Sequence, residues 1–118
     1  MKKLILIASL VFTSSIWAMN HSDLDQSINN HQEQFENVAL QIWDIAEVGY
    51  QEYQSSSLLK ENLAKEGFRI EENVANIPTA FIAEYGEGSP VIGILGEFDA
   101  LPGLAQTASP YKEKYKDN

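Results

Sequence analysis

The run Val91-Ile92-Gly93-Ile94-Leu95-Gly96 is nearly continuous in apolar residues, and it constrains this chain more than any other feature. A strand with one wet face alternates apolar and polar residues. A run apolar at odd and even positions predicts a strand covered on both faces. If the neighbours it expects were missing, the same run would be an aggregation hazard.

The elements before it follow from spacing. Leu24, Ile28, Phe35, Val38, Ile42 and Ile45 lie three, four or seven residues apart, with His31 filling the gap, which predicts one long helix from 22 to about 47. Ser22 and Asp25 resemble a capping box at its start, and Gly49 is its expected stop. A second helix is predicted from about 52 to 66. It presents Leu58, Leu59 and Leu63 to the core, with Gly67 as a left-handed cap. Phe68-Arg69-Ile70-Glu71 alternates like a half-buried strand, 73–78 is a connector and 79–85 is a second strand. After the turn at 86–90 comes the apolar run. The expected fold class is therefore α/β: two N-terminal helices followed by three strands.

The first residues bound where the chain goes. Met1-Lys2-Lys3 is a positive start, 4–12 is an apolar stretch too short to span a bilayer, and Ile16 and Ala18 stand at the −3 and −1 places of a cleavage site. Residues 1–18 are expected to be a signal peptide, the chain being exported to the periplasm or secreted. An uncleaved anchor or a buried helix is the alternative. The formal charge is −9, and loss of Lys2 and Lys3 would make it −11. Such a chain repels phosphate backbones and anionic bilayers, so nucleic acid and membrane are not its expected partners after cleavage. It has no cysteine, which excludes a disulfide framework and thiolate metal ligands.

Chemistry is concentrated in Leu95-Gly96-Glu97-Phe98-Asp99-Ala100-Leu101-Pro102. Two carboxylates two apart on a strand point to one face, here at the C-terminal end of a buried strand, where open α/β sheets place ligand crevices. Burying both needs a cation, a hydrogen-bonded partner or water; two solvated acids at a strand end is the alternative. Pro102 turns the chain out of the sheet.

Gly96-Glu97-Phe98-Asp99-Ala100-Leu101-Pro102-Gly103, preceded by Ile77-Pro78-Thr79-Ala80-Phe81 and by Ala46-Glu47-Val48-Gly49-Tyr50-Gln51-Glu52, resembles the start of the zinc-type amidohydrolases and metallopeptidases. These include the aminoacylases and glutamate carboxypeptidases, and the closest branch is that of aminobenzoyl-glutamate utilisation protein B and the Xaa-Arg dipeptidases. The match spans roughly 35–106. It implies a parallel-rich catalytic domain with an inserted dimerisation domain. It also implies one or two zinc or other divalent ions that activate water for cleavage of N-acyl amino acids or dipeptides. By this resemblance Asp99 orients a metal-binding group without itself holding the ion. Glu97 stands where many relatives have a metal-binding His and is the candidate metal ligand. Glu47 and Glu52 match the turn between the helices, with the structural job of holding that connection.

The departures are as informative. The Gly-His-Gly-Cys-Gly-His-Asn-like segment that supplies the family's first ligands does not appear. His21 and His31 are ten apart and share no face. A metal site needs three or four protein ligands. The chain is therefore expected to be the exported front part of such an enzyme, binding no metal and inactive alone, with a complementing polypeptide as an open possibility. The expected layout is 1–18 signal peptide, 19–108 the start of the catalytic domain, and 109–118 a disordered or loop tail. The alternative is an exported, non-catalytic binding or structural protein that reuses this segment.

Overall fold

The computed structural model describes residues 20–115. The expected signal peptide lies outside the described residues. The chain divides into two units, 1–30 and 31–118, taken separately below.

In the first unit, every residue of α1 (His21–Asn30) is exposed. It starts where the Asn20 carbonyl accepts the amides of Asp23 and Leu24, ahead of the expected cap at Ser22.

The second unit begins at the break in what spacing predicts as one helix. His31 has φ −104° and ψ 0°, and α2 (Gln32–Ile45) starts behind it. Asn29 and Asn30 precede the break, and asparagine side chains compete for the backbone and disfavour helix interiors. The half-buried stripe of α2 is Gln34, Val38, Ile42 and Ile45, while Phe35 sits at its exposed margin. The helix ends at Ala46 rather than near Gly49: Ala46 is left-handed (φ 51°) and returns its amide to Ile42 O at 3.1 Å.

Helix α3 (Tyr53–Lys65) agrees with its expected span. Gly67 (φ 88°) donates to Ala64 O and Phe68 donates to Leu63 O, which is a Schellman ending. Strands β1 (Arg69–Glu72) and β2 (Phe81–Glu84) then pair antiparallel, Arg69 opposite Glu84 and Glu72 opposite Phe81. Ile70, Phe81 and Ala83 are half-buried, and α3 packs on both strands. Lys60 of α3 pairs with Glu72 across that packing. Asn73, Ala75 and Asn76, all left-handed, form the connector.

The third expected strand is not formed. Residues 91–99 lie outside regular secondary structure, and the sheet has two strands. The physical reason is the one its composition implies. A run apolar on both sides needs strands beside it and layers above and below, and no described residue supplies them.

The interior of this unit is thin. No apolar side chain among the described residues is fully buried; the buried residues are Ser55, Ser56 and Thr79. Polar contacts therefore carry much of the specificity of the arrangement. Beyond 104 the chain closes an irregular loop, with an isolated antiparallel bridge between Gln106 and Lys114 and the Tyr115 ring edge-on to Trp43 of α2.

Candidate functional site

Three stretches that are far apart in sequence meet at the corner between α2 and α3. The first is the turn 46–52. Helix α3 begins with amides that have no partner inside the helix, and its own N-cap residue, Glu52, supplies no side-chain cap. Glu47 caps it instead. Its Oε1 accepts from Gln54 N at 3.0 Å and Gln54 Nε2 at 3.3 Å, and its Oε2 accepts from Ser55 N at 2.9 Å. A carboxylate there also meets the positive end of the helix dipole.

Thr79 joins the corner from the start of the second strand segment. Its hydroxyl donates to Glu52 Oε2 at 2.7 Å, and its carbonyl accepts from Ser56 Oγ at 2.8 Å. Glu52 Oε1 also accepts from Tyr50 N at 2.9 Å, which pins the turn whose Tyr50 has φ 65°.

The third stretch is the end of the apolar run. Ala100 N donates to the Glu47 carbonyl at 2.7 Å, and Val48 and Ala100 form an isolated parallel bridge. This bridge places Asp99 over Gly49. A Cβ at Gly49 would lie 3.6 Å from Asp99 Oδ2 and 4.0 Å from Glu52 Oε1, so the bare backbone there leaves both carboxylates room. Phe98 holds the approach by packing its ring on Phe81 at 6.3 Å.

The electrostatics of the corner are acidic and internally compensated. Burial pushes the Glu47 carboxyl up, but the hydrogen bonds from the Ser55 and Gln54 amides outweigh it and hold its pKa below the ordinary value. The Ser55 hydroxyl adds to this electrostatically, although it closes no well-formed hydrogen bond with a described residue. Glu52 follows the same pattern. Burial and the Glu47 charge raise it, while the Thr79 hydroxyl and the amides of Glu52 and Tyr50 bring it below the ordinary value.

Of the expected site residues, Asp99 reaches this junction and stays solvent-exposed; Glu97 is exposed and contacts none of it. His21 lies in the first unit, and His31 stacks on Phe35 at 5.9 Å. Among the described residues, no three His, Cys, Asp or Glu side chains group so as to hold a metal ion. The donor set present does not fit a hydrolytic metal centre, which needs three or four ligands. Two shallow open grooves of about 470 and 350 Å³ mark the surface, and neither is lined by Glu47, Glu52, Glu97 or Asp99.

Reading by element type does not find Thr79, Ser55 or Ser56. The available signal is a run of three serines, Ser55 to Ser57, inside a helix and next to its leucines, and a threonine just before a strand. Polar side chains in such places are buried only with partners.

The stretches that meet are those whose motifs resemble one group of hydrolases. The chain belongs to this amidohydrolase and peptidase family, as its curated relatives support. It is 45% identical over 85 residues to a subunit of the p-aminobenzoyl-glutamate hydrolase of Escherichia coli K12, covering 72% of this chain and 18% of that protein. It is 31% identical over 100 residues to thermostable carboxypeptidase 1 of Saccharolobus solfataricus, covering 80% of this chain and 25% of that protein. The hippurate hydrolase of Campylobacter jejuni is 30% identical over 87 residues, 74% of this chain and 22% of its own length. The chain thus spans a quarter or less of the relatives it matches. No protein-family model matches it.

Proposed function

We propose that this chain forms the Asp99-bearing corner of a metal-dependent amidohydrolase that cleaves amide bonds of N-acyl amino acids or dipeptides. The observation that carries the reading is the convergence of 46–52, Thr79 and 99–100 in one hydrogen-bonded junction. In it Asp99 orients a metal-binding group supplied from outside the described residues, and the ion would polarise the amide carbonyl and activate water. Glu97 is the adjacent candidate ligand. The described residues hold too few donors for the ion, so they are inactive alone, the remaining ligands come from outside them, and the chain acts as one component of a hydrolase assembly. The name of one relative as part of a multi-chain hydrolase supports an assembly of that kind. The opening Met1-Lys2-Lys3 and apolar stretch support export. The same shortage of donors favours, as a second reading, an exported binding protein without catalysis.

The test is hydrolysis of p-aminobenzoyl-glutamate and hippurate by the purified chain, with and without a co-expressed polypeptide carrying a Gly-His-x-Cys-Gly-His-like segment. Turnover is expected only in the pair, and Asp99→Ala is expected to abolish it while the pair still assembles. Chelator-sensitive turnover by the chain alone, or a pair indifferent to Asp99→Ala, overturns the proposal.

A further inference from the structure

Gly49 is a glycine whose φ does not demand one. The left-handed glycines among the described residues are Gly67, Gly86, Gly88 and Gly103, and Gly49 is not one of them. Its surroundings show what the position does require. A Cβ there would touch Asp99 Oδ2 at 3.6 Å and Glu52 Oε1 at 4.0 Å, so two carboxylate oxygens share the space that the missing side chain leaves.

The two acids are held differently. Glu52 is fixed at both oxygens, by the Thr79 hydroxyl on Oε2 and the Tyr50 amide on Oε1. Thr79 is itself buried and tied to α3 through the Ser56 hydroxyl. The Asp99 carboxylate has no hydrogen-bond or ion-pair partner among the described residues. The main chain beside it is anchored, through the Ala100 amide on the Glu47 carbonyl. The direction of the carboxylate is therefore set by what it can approach. The bare edge at Gly49 leaves room for hydration on one side of it, which an ionised group needs. The immobile charge of Glu52 opposes any further turn inward, because like charges in one space repel.

We propose that Gly49 and Glu52 are positioning residues for Asp99. Gly49 admits a hydrated carboxylate over its bare backbone, and Glu52, braced by Thr79, limits the rotation of that carboxylate. This rests on the reading that Asp99 orients a metal-binding group, and it adds which residues aim Asp99 at that group. Both act through Asp99 and touch neither substrate nor ion.

The test uses the full chain, read by NMR. Three-bond couplings report the side-chain rotamer of Asp99, and hydrogen exchange of the Ala100 amide reports its anchor. One rotamer is expected in the wild type. Gly49→Ala sets a methyl against the carboxylate at ordinary contact distance, so the melting temperature is expected to hold or rise. The Asp99 couplings are expected to move to another rotamer or to a mixture. Thr79→Val is expected to average them, and Thr79→Ser, which keeps the donor, to restore them. The Ala100 amide stays protected in each variant. Co-expressed with a polypeptide carrying a Gly-His-x-Cys-Gly-His-like segment, the Gly49→Ala chain is expected to hydrolyse p-aminobenzoyl-glutamate with kcat lowered about 10- to 100-fold and KM little changed. A chain at least as stable yet slower is a result that a purely structural glycine would not give. Unchanged Asp99 couplings in Gly49→Ala, loss of Ala100 protection in any of these variants, or turnover that needs Asp99 but is untouched by Gly49→Ala overturns the proposal. Turnover indifferent to Asp99→Ala overturns the hydrolytic reading alone, and the couplings decide the positioning of Asp99 without it.

Discussion

Glu47→Ala removes the acceptor of three hydrogen bonds at the start of α3, and its cost can be worked from what each donor then faces. Ser55 is fully buried, so its amide loses a partner that water cannot replace, at about 1–3 kcal/mol. Gln54 is exposed and its amide rehydrates, so it adds only the value of an ordinary cap, about 0.5–1 kcal/mol. Together the loss is about 1.5–4 kcal/mol. At roughly 4 °C or more per kcal/mol for a domain of this size, the melting temperature is expected to fall by about 6 °C or more. Glu47→Gln keeps one oxygen but sets an NH2 against an amide and loses the charge at the helix dipole, for about 1–2 kcal/mol. Acid separates this account from loss of packing. Both Glu47 and Glu52 have folded pKa values below the ordinary 4.5. Such a carboxyl contributes its stability above the unfolded pKa and loses it as pH falls through the folded value. The wild type is therefore expected to weaken from about 4.5 downward, and the gap to Glu47→Gln to shrink across that window. Thermal melts of the three chains at neutral and acid pH are the assay. A Glu47→Ala chain as stable as the wild type at neutral pH, or a wild-type to Glu47→Gln gap that stays constant into strong acid, refutes the reasoning.

Other substitutions probe the same corner. Thr79→Val keeps the shape and deletes the donor to Glu52; a loss of about 1–2 kcal/mol in denaturant unfolding is expected, with the Glu52 pKa rising by NMR titration. Ser55→Ala removes a buried hydroxyl that closes no well-formed hydrogen bond with a described residue, so stability is expected to stay level or rise by up to about 1 kcal/mol, measured by the denaturant midpoint. Ala46→Gly relieves a left-handed alanine at the end of α2, and a gain of about 1 kcal/mol is expected in the same measurement.

Helix α3 and its glycine ending were legible because leucine spacing and Gly67 agree, and each is a local signal. The two short strands were legible as segments, whereas their antiparallel pairing across the Asn-rich connector emerges only in the structure. The break at His31 was not legible, because the apolar spacing of Leu24, Ile28 and Phe35 runs through it while the competing asparagine chemistry is weak. The cap on α3 was hidden for another reason. Capping signatures look at the residue before a helix, and here the acceptor sits at Glu47, seven residues before Gln54. The run at 91–96 was read as a strand from its composition, but composition reports what a segment requires, and pairing depends on neighbours that the described residues do not provide. Asp99 was found from its motif; its place over Gly49 depends on the tie between Glu47 and Ala100, across 53 positions, which no local pattern encodes.

That tie also orders events as the chain emerges from synthesis. The Glu47 cap closes a loop of seven or eight residues and can form as soon as α3 is out. The Thr79 contacts wait for separations of 23 and 27, and the Ala100 bond closes last. Asp99 is thus seated by an already assembled scaffold, and a chain shortened before Ala100 is expected to retain the helical corner but lack the anchor that seats its acid.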